Sequence, residues 1–276
     1  MPTAEIRIII AILFAGLLVF PACNDNDGDE QQAGASKGAA SQQTSTQKPT
    51  EKPNVEEEEE GEEGPAVPLS VAAEKAAPLQ AVGKQFVYNF DNDAPEQMPA
   101  KFHAAKTGGG TAEKWSVVAD PTAPSKPSVV AQTSTDQTDY RFPLLISDEG
   151  SFQDLDISVR FKAVSGSVDR AGGLVFRLRD PNNYYVVRAN ALENNYRLYH
   201  VVNGRRSQFA GANFKVASGD WHELRVEAVG NKITCYYDGA KKIEATDSTF
   251  KDAGKVGLWT KADSVTYFDD LKVTAK

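Results

Sequence analysis

One stretch constrains the fold of this chain more than any other: Ala171 to Gly204, AGGLVFRLRDPNNYYVVRANALENNYRLYHVVNG. Three runs rich in Val, Tyr, Phe and Leu are interrupted by Asp180-Pro181-Asn182-Asn183 and by Glu193-Asn194-Asn195. Proline pre-sets the second position of a turn and asparagine tolerates left-handed dihedrals, so both breakers read as turns. The runs alternate with period two, which gives each strand a core face and an outer face. On that reading Leu174, Phe176 and Leu178 point one way, and Val175, Arg177 and Arg179 the other. Tyr184, Val186 and Arg188 oppose Tyr185, Val187 and Ala189, while Tyr196, Leu198 and His200 oppose Arg197, Tyr199 and Val201. An antiparallel meander is expected, with one apolar face and one face of Arg, Tyr and His.

The same texture begins near Lys84 and runs to the last residue. Strand-like runs recur at Phe86–Phe90, Trp115–Ala119, Ser128–Gln132, Phe142–Ile146 and Leu155–Val164. After the meander they continue at Ser207–Ala210, Trp221–Val229, Lys232–Tyr237, Lys241–Ala245, Val256–Lys261 and Val265–Val273. Asn203-Gly204, Gly230-Asn231 and Asp238-Gly239 sit between alternating runs and signal hairpins. No long stretch carries a 3.6 period. Residues 84–276 are therefore expected to form one all-β domain, an antiparallel β-sandwich jelly roll, large enough to bury a core without disulfide staples.

Ahead of this domain the chain is of another kind. Ile8 to Phe20 is an uninterrupted apolar run of 13 residues behind Arg7. It falls short of the roughly 20 residues a bilayer-spanning helix needs and fits a signal peptide over residues 1–22. Phe20-Pro21-Ala22-Cys23 resembles the bacterial lipobox, with Phe where Leu, and Pro where Ala or Ser, is usual. That resemblance implies export, lipidation of Cys23 and a lipid anchor in the cell envelope. Asn24 in place of Asp favours the outer membrane; ordinary cleavage after Ala22 is the alternative. Residues 23–67 are expected to be a disordered tether, because they hold no aromatic residue and end in the acidic run Glu56 to Glu60, Glu62 and Glu63. Residues 68–83 form an Ala-rich connector.

The tether also accounts for the net charge of −8. The first 66 residues carry 4 Lys and Arg against 13 Asp and Glu, leaving 26 against 25 in the rest. The folded part is nearly neutral and lacks the basic footprint of a nucleic-acid binder. With Cys23 as the lipid site, Cys235 stands alone in an alternating strand and reads as a small buried hydrophobe. His103, His200 and His222 have no metal-ligand spacing.

Gly172-Gly173-Leu174-Val175-Phe176-Arg177, Asp180-Pro181-Asn182-Asn183-Tyr184-Tyr185, Trp221-His222-Glu223-Leu224-Arg225-Val226, Tyr237-Asp238-Gly239, Gly254-Lys255-Val256-Gly257-Leu258-Trp259 and Phe268-Asp269-Asp270-Leu271 resemble concanavalin A-like, laminin-G-like jelly rolls. The resemblance covers most of Phe86 to Lys276. It extends to bacterial exported domains of family-16 glycoside hydrolase-like and 3-keto-disaccharide hydrolase-like type. It implies the jelly-roll fold and a carbohydrate-related role. The E-x-D-x-x-E strand motif of retaining family-16 enzymes is absent, and Glu223 and Glu227, four residues apart, stand roughly 13 Å apart along a strand, too far for a retaining pair. No catalytic residue is assigned.

Two constellations remain as candidate sites. Asp91 and Asp93 near the first strand, with Asp269 and Asp270 near the last, could hold a structural Ca²⁺ if the terminal strands pair; solvated turn carboxylates are the alternative. Arg177, Arg179, Arg188, Arg197 and Tyr199, with Trp259, make a candidate ligand face. Sugar rings stack on aromatics while guanidinium groups bond the hydroxyls. The alternative is a cross-strand Arg–Tyr ladder that serves the sheet. The leading expectation is a non-catalytic module for a carbohydrate or glycosylated surface. Turnover of 3-keto-disaccharides or related glycosides is second, and a protein-binding envelope module third.

Overall fold

The structure is a computed structural model describing residues 78–276. The signal segment, Cys23, the tether and the connector as far as residue 77 lie outside the described residues. Fifteen strands and no helix make up the described part, numbered here along the chain. One sheet holds β1 (Gln85–Tyr88), β3 (Trp115–Ala119), β4 (Ser128–Gln132), β6 (Leu155–Ser165), β11 (His222–Val229), β12 (Lys232–Tyr237), β13 (Ala240–Thr246) and β15 (Val265–Ala275). Its order is β13-β12-β11-β6-β15-β4-β3, with β1 also pairing to β15. The other sheet holds β2 (Phe102–Gly108), β5 (Arg141–Ser147), β7 (Ala171–Asp180), β8 (Asn183–Asn190), β9 (Asn195–Val202), β10 (Arg205–Asn213) and β14 (Lys255–Trp259), ordered β10-β9-β8-β7-β14-β5-β2. Both sheets are antiparallel throughout, and together they form the expected sandwich.

The period-two pattern builds the core between the sheets. Ile157, Phe161, Leu224, Val226 and Phe268 from one sheet meet Leu174, Phe176, Tyr185, Val187 and Leu198 from the other, all at 0% exposure. Cys235 lies in the same core, where burial pushes its thiol pKa up and leaves it inert. At Asn203-Gly204 and Asp238-Gly239 both residues have positive φ, the geometry that closes two-residue hairpins. β2 alone has no counterpart among the expected strands. Its sequence, FHAAKTG, offers Ala and Lys where the pattern asks for β-branched residues.

Alternation holds along β8 and β9 but fails in β7. Arg177 sits at φ 48°, and the pairing of β7 slips between Phe176 and Asp180 against β8 and between Lys255 and Gly257 against β14. The bulge turns over the rest of the strand, so Leu178 lies on the face opposite Leu174 and Phe176. Gly254 permits it: a Cβ there would stand 2.5 Å from the Arg177 carbonyl carbon. The expected common face for Leu174, Phe176 and Leu178, and the outward Arg177, are corrected by this bulge.

The face of the seven-stranded sheet turned away from the core is concave, and hydrogen bonds reveal the curl. β9 and β5 are separated by four strand spacings, roughly 19 Å in a flat sheet, yet Tyr140 beside β5 donates its hydroxyl to Gly204 O in the β9–β10 turn at 2.5 Å. Tyr140 Oη in turn accepts Arg206 N at 3.0 Å. Thr107 of β2 donates to Pro181 O at 2.5 Å and accepts the Tyr184 hydroxyl of β8 at 2.8 Å, across another four spacings. Two diagonal corners of the twisted sheet thus meet over its concave face. Beneath them Phe142, Leu144, Ile146, Val175, Val186 and Trp259 form a second core at 0% exposure.

Candidate functional site

Of the six residues expected on a ligand face, the structure brings Arg188, Tyr199 and Trp259 onto this concave face. Arg188 pairs in register with Gly173, which pairs with Trp259, and Arg188 Nη2 donates to Tyr199 Oη at 3.0 Å. Arg197, opposite Arg188 on β9, faces the same way but donates to Ala212 O at the β10 edge. Arg179 is exposed and paired with Asp252 at 2.8 Å. Arg177 is a correction: it is 1% exposed, and its guanidinium holds Gln153 O, Phe250 O, Gly230 O and Asp154 Oδ1 together. It fastens three loops and faces no ligand.

Around Arg188 lies a polar corner that the sequence did not announce. Arg188 Nη1 donates to Glu193 Oε2 in the β8–β9 turn at 2.8 Å and to Oδ1 of Asn195, the first residue of β9, at 3.1 Å. Asn190, the last residue of β8, is fully buried and uses both ends of its amide. Its nitrogen donates to Asp169 Oδ1 at 3.0 Å, and its oxygen accepts the backbone N–H groups of Leu192 and Glu193. Lys261, just past β14, stands 2.9 Å from Asp139 and 3.6 Å from Asp169 Oδ2. Asp169 itself is aimed by Asp263, whose carboxylate accepts the N–H groups of Ser167, Val168 and Asp169. Burial pushes Asp263 up, but those backbone donors and the Ser167 hydroxyl hold it below the usual carboxylate range.

Two buried atoms in this corner lack a hydrogen-bond partner: Asp169 Oδ2, on a residue at 0% exposure, and Arg188 Nε, on one at 3%. Buried polar atoms without a hydrogen bond are costly, and although Lys261 stands 3.6 Å from Asp169 Oδ2, an acceptor and a donor left in this corner are what a polar ligand or its waters would satisfy. One accepts and the other donates. Burial raises the Asp169 carboxyl to about 6 against the pull of Arg188 and Lys261. Burial opposes the charge on Arg188, yet Tyr199, Asp169 and Glu193 hold its pKa above the ordinary arginine value. A carboxyl that titrates near neutrality beside fixed cations is a chemically useful acid or base.

The acidic constellation does not fit a metal ion. The terminal strands β1 and β15 do pair. However, Asp269 is fully buried with its oxygens taken by Ser125 N, Ser125 Oγ and Asp270 N, and burial lifts its pKa to about 6. Asp91 accepts Ser128 N and Asp93 accepts Ala100 N, so these carboxylates brace loops. Among the described residues no group of three or more His, Cys, Asp and Glu is placed to hold a metal. The expected Ca²⁺ site at Asp91, Asp93, Asp269 and Asp270 is corrected accordingly.

A second concavity, of about 330 Å³, lies on the other sheet and is lined by Glu227, Val229, Lys232, Thr234, Tyr236, Lys241 and Glu244. Its charges satisfy one another: Glu244 pairs with Lys232 at 3.3 Å and Lys241 at 2.9 Å, and Glu227 with Lys276 at 3.4 Å. That is the ion-pair ladder expected of a solvated sheet face.

Residues 104–274 match the family profile of the 3-keto-alpha-glucoside-1,2-lyase-like domain. No curated protein matches the sequence. Among solved structures, the carbohydrate binding module CBM66 from Bacillus subtilis superposes with a TM-score of 0.50 at 20% identity, covering 62% of this chain and 95% of that one. Lectin II from Ulex europaeus superposes with a TM-score of 0.50 at 11% identity, covering 70% and 99%. At these identities the likeness is one of fold.

Proposed function

The chain belongs to the family of 3-keto-alpha-glucoside-1,2-lyase-like domains, and from that premise we propose that it binds a glycoside in the polar corner of the concave face. The observation that carries this reading is the pair of orphaned buried atoms, Asp169 Oδ2 and Arg188 Nε. A sugar hydroxyl donates to the first and a neighbouring hydroxyl or carbonyl accepts from the second. Tyr199 borders the corner through its hydroxyl, 3.0 Å from Arg188 Nη2, while its ring and that of Trp259 lie buried beneath Arg206. Titration calorimetry with methyl 3-keto-α-glucoside tests the proposal. Binding that falls about tenfold or more in Arg188→Gln is expected, since a charged hydrogen bond contributes roughly 1.5–3 kcal/mol. Equal binding by variant and wild type contradicts it.

A second reading, turnover, is favoured by the Asp169 carboxyl at about 6 beside Lys261. A 3-keto group acidifies the C2–H bond of the sugar. Ionised Asp169 takes that proton, the electron pair forms the C1=C2 double bond, and the C1–O bond breaks. The departing oxygen then takes a proton from Lys261 or solvent, while Arg188 steadies charge gathering on the keto oxygen. Release of methanol from the same probe separates turnover from binding alone.

We also infer an exported protein anchored through lipid at Cys23, supported by the apolar run Ile8 to Phe20 and the lipobox-like residues behind it. Membrane fractionation of Cys23→Ser tests this. Release or failure of processing is expected, and unchanged membrane association with unchanged mobility contradicts it.

A further inference from the structure

We propose that the corner receives only the terminal sugar of a glycan and excludes chain interiors; this rests on the glycoside reading above. A cleft that binds an internal stretch must be open at both ends, and here a strap lies across the concave face. The β9–β10 turn is tied to Tyr140 by the bonds Tyr140 Oη to Gly204 O and Arg206 N to Tyr140 Oη, at 2.5 and 3.0 Å. Thr107 ties β2 to the β7–β8 turn through Pro181 O and Tyr184 Oη, at 2.5 and 2.8 Å. Arg206 then reaches inward from β10. Its guanidinium lies 4.5 Å from the Tyr199 ring centre, 4.8 Å from Phe142 and 5.9 Å from Trp259.

Those three rings are the surface on which the next sugars of a passing chain would stack. The protein's own guanidinium covers them. No passage runs beneath, because Leu144, Val175, Leu178 and Val201 under the strap are at most 1% exposed. The orphaned atoms Asp169 Oδ2 and Arg188 Nε lie at the β8–β9 turn end of the strands, whereas Tyr184, Val201 and Arg206 stand in register at the opposite end. At the β8–β9 end the carboxylates of Glu193 and Asp139 are 39% and 56% exposed, and no strap crosses them. A face closed by the strap at one end, with exposed carboxylates and the partnerless Asp169 Oδ2 and Arg188 Nε at the other, fits a single ring entering end-on. Tyr140 and Arg206 are then specificity residues that set the length of the site and touch no reacting atom.

The test compares two hexaoses, each carrying one glucosyl unit oxidised at C3. One is linear maltohexaose, oxidised at its non-reducing end, and the other is cyclomaltohexaose, which has no end. Calorimetry on the full chain is expected to show the linear probe binding at least tenfold more tightly. The preference is expected to shrink by threefold or more in Arg206→Gln, which uncovers the rings, and in Tyr140→Phe, which releases the strap; circular dichroism reports whether each variant keeps its fold. Equal affinity for the two probes in the wild type overturns the end-on assignment and leaves the glycoside reading standing. Binding of methyl 3-keto-α-glucoside without either hexaose also overturns it. Failure of all three probes to bind removes the glycoside reading and this inference together.

Discussion

Arg177 and Asp169 carry most of what single residues contribute here. Arg177 follows the alternation of its strand in sequence and breaks it in space, because a positive φ at a non-glycine residue leaves no mark in composition. Once the bulge turns it inward, it becomes the donor for three loop carbonyls and one carboxylate. Arg177→Ala is expected to destabilise the domain by about 3 kcal/mol or more, since those buried acceptors lose their partner at once. Urea denaturation measures it, and a change within about 0.5 kcal/mol, as at an ordinary surface position, contradicts the assignment. Asp169 predicts a pH dependence whose sign is set by its raised pKa. The folded state holds the proton up to about pH 6, while the unfolded chain releases it near the ordinary 3.8. The stability this group contributes is therefore present below pH 4 and is lost as pH rises through 6, a span worth on the order of 3 kcal/mol. Asp169→Asn lacks that loss, so its melting temperature relative to wild type should rise between pH 4 and pH 7. A constant or falling difference contradicts the raised pKa.

At the scale of elements, the strands were legible because a sandwich buries one face of each strand and so writes period two into the sequence. Trp115–Ala119, Ser128–Gln132 and Lys232–Tyr237 match the observed β3, β4 and β12 to the residue. β2 escaped because it is held by β5 and the diagonal strap more than by its own side chains. The site was half legible. Arg188, Tyr199 and Trp259 lie on strands whose alternation sends them to one face. Asp169, Glu193 and Lys261 lie in loops and at strand ends, where no period applies, and meet only because β7, β8 and β14 are neighbours in the sheet. The Asn residues flanking the β8–β9 turn were the available signal. They read as turn formers, and Asn190 is one, yet its amide also fastens Asp169.

For the whole molecule, the two sheets divide the work. The eight-stranded sheet presents the ion pairs of Glu227 and Glu244 to solvent, while the seven-stranded sheet curls until its own corners touch and holds Asp169 Oδ2 and Arg188 Nε without hydrogen bonds in one polar corner. The central claim is that this corner is where ligand binds. Amide chemical shifts of the isotope-labelled full chain, monitored while methyl 3-keto-α-glucoside is titrated in, test it most directly. The predicted result is saturable movement at Asp169, Arg188, Glu193 and Lys261, with Lys232, Tyr236 and Lys241 on the other sheet unmoved. Movement confined to those three residues, with the corner unchanged at saturation, would contradict it.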